Sequence, residues 1–305
     1  MSLGDIEMQN LRRQEKNCNL CHSQKSKYLF SVHSFNVVRC LDCGLAYLNP
    51  MPYPDDAAGL YTVDYYRSKD AEEDAPLGYP DYLELQEHHT FVADELLRPL
   101  GDIKPGTVLD VGCGMGTMLG RFRELGWEAY GIDVSAYATD YARDELGLKV
   151  FTGAVEEAEL PESFFDLVTV VHVIEHLPDP RSTLETLHRL LKPGGVIVVA
   201  THDTSGLWPR IVGKHWRHLN IPEHLYFFSR KSLDRMLVDT GFRTFRLTET
   251  ATLAAVASDT GLYAPIKLLY RYGLIKQAAP LLRGWHTVAR KLNISDGATA
   301  YARRV

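Results

Sequence analysis

The middle of the chain alternates short apolar runs with longer amphipathic stretches. The apolar runs have the length and the β-branched content of buried strands, and they cover residues 107–111, 128–132, 148–152, 165–173 and 196–200. Helical patterns cover residues 117–125, 136–146, 180–191 and 229–242, and residues 242–253 are typical of a late strand. This order predicts an α/β fold with parallel strands, right-handed crossovers and helices on both faces of the sheet.

The segments on either side of this alternating region have a different pattern. Residues 55–79 form a connector rich in tyrosines and acids, and a helical pattern follows over residues 81–100. Tyr65, Tyr66 and Tyr79 are candidates to cover a ligand, with simple packing as the alternative. We therefore divide the chain into an N-terminal part of residues 1–54, a central domain of residues 55–253 that includes the connector, and a helical C-terminal extension of residues 254–305.

The C-terminal extension is basic, and its apolar residues recur at helical spacing. It carries eight Lys or Arg against two Asp, whereas the net charge of the whole chain is −6. From Tyr263 onward the pattern predicts two amphipathic helices. Such a surface is typical of helix packing or a dimer contact, and peripheral contact with a membrane is the alternative. The sequence leaves the oligomeric state open.

Composition and charge disfavour several classes of protein. The chain has 305 residues, 45% of them hydrophobic, which is enough for a large core. It has no apolar run long enough to span a bilayer, and the N-terminal segment lacks the apolar stretch of a signal peptide, so we expect a cytoplasmic protein. The negative net charge disfavours a nucleic-acid partner.

Two CxxC units near the N-terminus predict a metal site. Cys18 and Cys21 form the first unit, and Cys40 and Cys43 form the second after 18 intervening residues. Each unit presents two thiolates on one side of a tight turn, and the apolar stretch between them is long enough to bring the two turns face to face. In a reducing compartment this spacing favours a metal over disulfides. We predict a zinc ribbon with a closed, structural Zn²⁺ site.

The first predicted strand ends in an acid and a glycine-rich turn. Asp110 is followed by Gly112, Gly114 and Gly116, which allow a ligand to lie against the main chain. The second strand ends in Asp133, 21 residues after Gly112, where a carboxylate can accept hydrogen bonds from both hydroxyls of a ribose. Together these features predict a nucleoside cofactor.

Spacing and charge favour S-adenosylmethionine as that cofactor. A dinucleotide-binding turn reads GxGxxG and leaves the helix N-terminus free for a pyrophosphate. Here Asp110 stands two residues before the first glycine, where its carboxylate attracts an ammonium or a sulfonium and repels a pyrophosphate. NAD is the alternative that this argument leaves open.

Three stretches then resemble the class I S-adenosylmethionine-dependent methyltransferases. They are VLDVGCGMGTMLGRFRELGWEAYGIDVS, FFDLVTVVHVIEHLPDP and LHRLLKPGGVIVVATHD, and the likeness covers about residues 81–252. The resemblance implies a Rossmann-like seven-stranded sheet in the order 3-2-1-4-5-7-6, with strand 7 antiparallel and the cofactor across the ends of strands 1 and 2. It implies these cofactor-binding residues: Asp110, Gly112, Cys113, Gly114, Gly116, Asp133, Val134, Ala154, Val155 and His172.

The segment after the third strand departs from the family pattern. The family usually offers an acid beside the adenine, whereas this chain has TGAVEEAELP with Ala154 at that position. We therefore expect backbone and apolar contacts near Ala154 and Val155 to hold the adenine.

Candidate catalytic residues cluster in HVIEHL and in HWRHLNIPEHLYFFS. Ubiquinone-pathway O-methyltransferases resemble the first stretch but have Glu, Glu and His, a set associated with a divalent metal, where this chain has His172, Glu175 and His176. Structural hydrogen bonding and a general base are the alternatives for these residues. His224 in the second stretch is the leading candidate for a general base, and His202 is the second. Trp208, Trp216 and the aromatic residues after His224 are candidates for an acceptor pocket.

Taken together, these patterns predict an enzyme that methylates a small molecule, preferably at oxygen. The pairing of a ribbon with PEHLYFFS resembles enzymes of natural-product, sugar and surface-polysaccharide pathways. Two alternatives remain open at this level: an RNA base methyltransferase, since some ribosomal RNA enzymes also join a ribbon to this fold, and a non-catalytic binding module that retains the fold.

Overall fold

The computed structural model describes residues 11–61, 63–66, 86–101, 103–250 and 297–305. Its strands are β1 Arg13–Gln14, β2 Ser26–Val32, β3 Phe35–Cys40, β4 Ala46–Leu48, β5 Met51–Pro52, β6 Thr107–Val111, β7 Glu128–Asp133, β8 Lys149–Thr152, β9 Phe165–Val171, β10 Leu191–His202, β11 Tyr226–Phe227, β12 Phe242–Thr250 and β13 Gly297–Arg304. Its α-helices are α1 Pro54–Ala58, α2 Val63–Tyr66, α3 Gln86–Leu97, α4 Thr117–Glu124, α5 Ala136–Asp144, α6 Pro180–Leu190, α7 Leu207–Val212 and α8 Arg230–Asp239. None of these helices has the length and hydropathy needed to span a bilayer.

Seven strands form one mixed sheet in the order β12-β13-β10-β9-β6-β7-β8. Strands β8, β7, β6, β9 and β10 pair in parallel, while β13 is antiparallel to both of its neighbours. This arrangement confirms the order 3-2-1-4-5-7-6 with an antiparallel seventh strand. The central strands and helices also agree with the predicted ones in type and, within a few residues, in their bounds, because buried strands and amphipathic helices both have strong sequence periods.

The helical prediction for the C-terminal extension is wrong at its end. Residues 297–304 form β13, which lies between β10 and β12 and is buried over its first six residues. A strand that is covered on both faces shows no alternation of polar and apolar residues, and the alanines of GATAYARR hide its β character from a pattern argument. The two amphipathic helices predicted from Tyr263 lie outside the described residues, as does Tyr79.

Alternate residues of the sheet strands pack into two separate cores. Val108 and Leu167 belong to the core beneath α3 and α4, whereas Leu109 and Val168 face α6 and α8. The second core also contains the buried residues of the N-terminal part, among them Leu20 and Tyr47. The ribbon and one face of the sheet therefore share a single hydrophobic core.

The ribbon sheet includes a strand from the central domain. It has four antiparallel strands in the order β11-β4-β3-β2, and β11 comes from the segment PEHLYFFS. The ribbon also contacts the start of α6, where the Arg181 guanidinium donates to the carbonyl oxygens of Asn19 and Leu20 at 3.2 and 2.7 Å. The side-chain amide of Asn19 donates in turn to Asp179 at 2.8 Å. These contacts fix the position of the ribbon beside the loops at the carboxyl edge of the sheet.

Replacing Gly116 tests the packing of the glycine turn. Its φ is +81°, and a Cβ there would lie 2.5 Å from Leu148 Cδ1 and 3.0 Å from Ala142 Cβ. We expect Gly116→Ala to lower the free energy of unfolding by ~2 kcal/mol or more, because a left-handed alanine already costs ~1–2 kcal/mol. Gly120→Ala is the matched control, since Gly120 lies within α4 with open space around it, and helix propensity predicts a gain of ~0.5–1 kcal/mol. Urea unfolding of both variants measures the difference, and equal stabilities would contradict this explanation.

Candidate functional site

The glycine turn after β6 is shaped mainly by packing within the protein. A Cβ on Gly112 would lie 2.2 Å from Val173, and Gly116 is closed off by Leu148. The Cys113 side chain also points inward, because a Cβ on Gly131 would lie 2.7 Å from its Sγ. From the sequence alone, these glycines are expected to make room for a ligand. At Gly112 and Gly116 the observed reason is a positive φ together with close packing, and the amides of both residues already donate to backbone carbonyl oxygens.

Two buried carboxyl groups flank this turn. Asp133 accepts hydrogen bonds from the backbone amides of Gly114 and Ser135, each at 2.9 Å, so it holds the turn in place as well as ending β7. Asp110 is 1% exposed and accepts one hydrogen bond from Thr169 Oγ1 at 2.7 Å. Burial and the nearby Asp133 raise the pKa of Asp110 to about 7. A cation placed between these carboxylates would offset the cost of burying their charge.

The segment after β8 lies against the end of β7. The amide of Gly153 donates to the carbonyl oxygen of Asp133 at 2.9 Å, which brings Ala154 and Val155 close to this acid. Val134 is 47% exposed, and Val155 is buried. The structure therefore places an exposed apolar side chain next to Asp133, on the side where the sequence predicts the adenine.

The four candidate catalytic histidines lie together in a larger group. The histidine cluster, as we call it, comprises His172 and His176 after β9, His202 at the end of β10, and His218 and His224 in the insertion that follows. The ring centroids of His172 and His202 are 4.7 Å apart, those of His176 and His224 are 4.5 Å apart, and His202 stacks on His218 at 4.0 Å. All of these residues lie at the carboxyl edge of the sheet, where ligands bind in open α/β folds.

Glu175 lies within the histidine cluster and is 1% exposed. Its Oε1 is 3.4 Å from His172 Nδ1. Burial alone would raise the pKa of Glu175, but its hydrogen bond with His172 opposes this effect, and the pKa is lowered to about 2. Glu223 is also buried, and burial raises its pKa to about 8. The cluster therefore combines an ionised carboxylate with a neutral carboxylic acid at pH 7.

Backbone contacts fix the tautomers of two histidines. His224 Nδ1 lies 2.8 Å from the carbonyl oxygen of His218, so this nitrogen carries the proton and donates it. His176 Nδ1 lies 3.1 Å from the carbonyl oxygen of Glu223 and 2.8 Å from the Tyr61 hydroxyl, so it is also a donor. Burial lowers the pKa of His224 to about 3 and also lowers that of His176. Both rings are therefore neutral at pH 7, and each has a lone pair on Nε2.

Sequence reasoning missed three contributors to this site. Tyr61 comes from the connector and reaches His176, whereas the sequence points to later tyrosines of that segment. His218 and Glu223 lie inside the insertion without any recognisable spacing. Among the predicted pocket aromatics, Trp216 faces His202 and His218, while Tyr226, Phe227 and Phe228 are buried in the core shared with the ribbon.

The four cysteines of the ribbon converge as a candidate metal centre. The Sγ atoms of Cys18 and Cys43 are 3.4 Å apart, those of Cys21 and Cys40 are 3.5 Å apart, and all four lie within 4.8 Å of one another. A tetrahedral ion with bonds of ~2.3 Å to sulfur requires sulfur atoms ~3.8 Å apart. The observed set fits that geometry.

Comparisons with known proteins agree with the fold. A family model described as a methyltransferase domain matches residues 85–247. The ubiquinone biosynthesis O-methyltransferase of Alkalilimnicola ehrlichii is 38% identical over 114 residues, which are 35% of this chain and 46% of that protein. The malonyl-[acyl-carrier protein] O-methyltransferase of Salmonella typhimurium is 31% identical over 177 residues, which are 57% of this chain and 68% of that protein. Matches to such curated relatives thus span from about half to two thirds of their length.

A solved structure supports the same fold. The geranyl diphosphate C-methyltransferase of Streptomyces coelicolor A3(2) superposes with a TM-score of 0.51 and 20% identity over 71% of this chain and 76% of that one. The family model covers more than half of the chain, and the glycine turn and both acids lie within the matched residues. The chain therefore belongs to the methyltransferase-domain family, and its sheet has the strand order of the class I S-adenosylmethionine-dependent methyltransferases.

Proposed function

We propose that this enzyme transfers a methyl group from S-adenosylmethionine to an oxygen atom of a small acceptor in a natural-product, sugar or surface-polysaccharide pathway. The observation that carries this proposal is the position of His224. Its neutral ring sits among other catalytic candidates at the carboxyl edge of the sheet, with a lone pair on Nε2. The curated relatives named above are O-methyltransferases, and their small or carrier-bound acceptors agree with this class of reaction.

The cofactor would lie across the ends of β6 and β7. The main chain of Gly112, Cys113, Gly114 and Gly116 would hold its methionine part. Asp133 would accept hydrogen bonds from the ribose while keeping its bond to Gly114, because a carboxylate has about four acceptor positions. Val134, Ala154 and Val155 would contact the adenine.

Asp110 would supply the charge that favours a cationic cofactor. Its carboxyl group is buried and has one hydrogen-bond donor, Thr169, so its ionised form is poorly stabilised by the protein alone. The ammonium and sulfonium groups of S-adenosylmethionine would provide the missing positive charge. A pyrophosphate would add negative charge beside two carboxylates, which argues against NAD.

His224 would act as the general base. The sulfonium would supply the methyl group, and His224 Nε2 would accept the proton that the acceptor oxygen loses. The carboxylate of Glu175 is close enough to favour the imidazolium that forms. The fixed tautomer matters because a ring that rotated freely would present its N–H, which cannot accept a proton. The other candidates for the general base are His202, His172 and His176. The ring of His202 lies near that of His224 in the histidine cluster.

The ribbon would hold a structural Zn²⁺ through Cys18, Cys21, Cys40 and Cys43. Burial raises the pKa of the Cys18 thiol to about 11, so four thiolates can share this space only around a cation. All four tetrahedral positions would be filled, which leaves none for a substrate. We propose that this ion stabilises the position of β11 and of the adjoining His224.

Membrane contact through the C-terminal extension stays a proposal, because residues 251–296 lie outside the described part of the chain.

Asp110→Asn should raise the stability of the cofactor-free protein and lower its affinity for the cofactor. Because the pKa of Asp110 is raised above that of an unfolded chain, its ionisation destabilises the fold as the pH rises from about 4 to above 7. We expect the variant to be more stable than the parent by ~1–3 kcal/mol at pH 8 without cofactor, with little difference at pH 4. Its affinity for S-adenosylmethionine should fall ~10–100-fold, since the charge attraction is lost.

A neutral nucleoside is the matched control for this variant. 5′-Methylthioadenosine lacks both the sulfonium and the amino-acid charge, so its affinity should change less than ~3-fold between parent and variant. Calorimetry with the two ligands measures the contrast. An equal loss of affinity for both ligands would mean that the substitution only distorts the turn, and an unchanged affinity for S-adenosylmethionine would contradict the role of the charge.

His224→Asn should lower turnover without weakening the cofactor complex. We expect a loss of ~10²–10⁴-fold in kcat, which is the usual contribution of a general base, and a dissociation constant for S-adenosylmethionine within ~2-fold of the parent. His215→Asn is the control, because His215 is exposed in the same insertion. If both variants keep most of their turnover, another residue accepts the proton.

The function itself is tested with a panel of hydroxylated acceptors. The assay records S-adenosylhomocysteine, and ¹³C-labelled methyl groups show by NMR whether the new bond is to oxygen, carbon or nitrogen. We expect an O-methyl product from a small acceptor. A C-methyl or N-methyl product, or turnover with RNA alone, would overturn the proposal.

A further inference from the structure

Three side-chain atoms of the histidine cluster are buried and lack a hydrogen-bond partner within the described part of the chain. They are His172 Nε2, Glu175 Oε2 and His202 Nδ1. A buried polar atom without a partner costs ~1–3 kcal/mol, so native proteins rarely contain several of them in one place. These three belong to residues that face one another, so a single bound species can satisfy all of them.

The same three residues meet the geometric requirements of a cation site. Each offers one ligand atom, and these atoms lie within 4.8 Å of one another. Ligands ~2.1 Å from a shared ion are ~3–4 Å apart, so a small rotation of one side chain is sufficient. The His172 side chain is 28% exposed, which gives it room to rotate and gives an ion a path from solvent.

The backbone at His172 is shaped to present this side chain. Its φ is +53°, a conformation that is uncommon for a residue other than glycine and is often found at functional sites. Its amide donates to the carbonyl oxygen of Ala200 at 2.8 Å, which places the turn after β9 next to the end of β10. As a result the rings of His172 and His202 face each other across 4.7 Å.

We propose that His172, Glu175 and His202 bind a divalent transition-metal ion. Two imidazoles and one carboxylate form a donor set that suits ions such as Zn²⁺, Fe²⁺ or Co²⁺, whereas Mg²⁺ prefers oxygen ligands. The set also differs from the Glu, Glu and His of the ubiquinone-pathway enzymes, because His202 comes from another strand and imidazoles predominate. Three protein ligands leave positions open. If the proposed O-methyltransferase function holds, an acceptor oxygen would occupy one of them.

A second triad, formed by Glu175, His176 and His224, also converges. We assign the ion to the first triad because each of its three residues has a buried polar atom without a hydrogen-bond partner among the described residues. In the second triad, neither His176 nor His224 has a buried ring nitrogen without a hydrogen-bond partner among the described residues. The two assignments predict different effects of substituting His202 and His224, and this difference can be measured.

Cobalt binding to the intact protein tests the site without an acceptor. The metal-free protein is titrated with Co²⁺ alone while the absorption spectrum and the bound metal are recorded. We expect two equivalents per chain: one with the intense thiolate-to-cobalt charge-transfer band of the cysteine site, and one with only the weak bands of nitrogen and oxygen ligation. Methyl transfer is not needed for this result, so failure of the proposed function would leave it unchanged.

Substitutions show which residues bind the second equivalent of Co²⁺. His202→Ala and Glu175→Gln should each weaken its binding at least ~10-fold and keep the charge-transfer band, which shows in the same sample that the ribbon remains folded. The controls His215→Ala and His224→Ala should keep both equivalents. Uptake of one equivalent by the parent, or loss of the second in His224→Ala but not in His202→Ala, would overturn the proposal.

Discussion

The arrangement of the site depends on the hydrogen bonds that the main-chain carbonyl group of Glu175 accepts. Its oxygen accepts hydrogen bonds from the amides of Leu225 and Tyr226, at 2.8 and 3.1 Å. The carbonyl of Leu225 in turn accepts from the amide of Leu48 in the ribbon, at 2.9 Å. The turn after the fourth sheet strand, the insertion that carries His224 and the ribbon are thus joined by consecutive backbone bonds. Because these bonds are buried, breaking any of them would leave polar groups unpaired.

This junction gives the ribbon a role in placing the site. The sequence presents the ribbon as a separate N-terminal unit, but in the structure its sheet takes in β11, and its core continues into the core under α6 and α8. A closed cysteine site is rigid, and β11 begins two residues after His224. Through this strand the ribbon can restrain the position of His224, which is a catalytic candidate.

Elements with a strong periodicity of apolar residues could be predicted from the sequence. Elements and contacts that depend on residues far apart in the chain could not. The strand Thr107–Val111 and the helix Thr117–Glu124 follow from local pattern, and the resemblance supplied the strand order. β13 was missed because alanines in a doubly covered strand carry no alternation. The contact of Tyr61 with His176 joins residues that are 115 positions apart, and no local signal reports such a contact. The histidines were found as candidates because they lie after apolar strands, but their tautomers depend on carbonyl groups that only the fold brings near.

The electrostatics of the site divide it into two regions. Buried carboxyl groups surround the glycine turn, and neutral imidazoles dominate the neighbouring cluster, so a cation is favoured at the turn and a proton acceptor beside it. The binding of a cation at the glycine turn is the first requirement of this account. A crystal structure with S-adenosylhomocysteine tests it most directly: we expect the nucleoside across the ends of β6 and β7, with the ribose on Asp133 and the ammonium near Asp110. A ligand bound elsewhere, or a ribose that does not touch Asp133, would contradict the account.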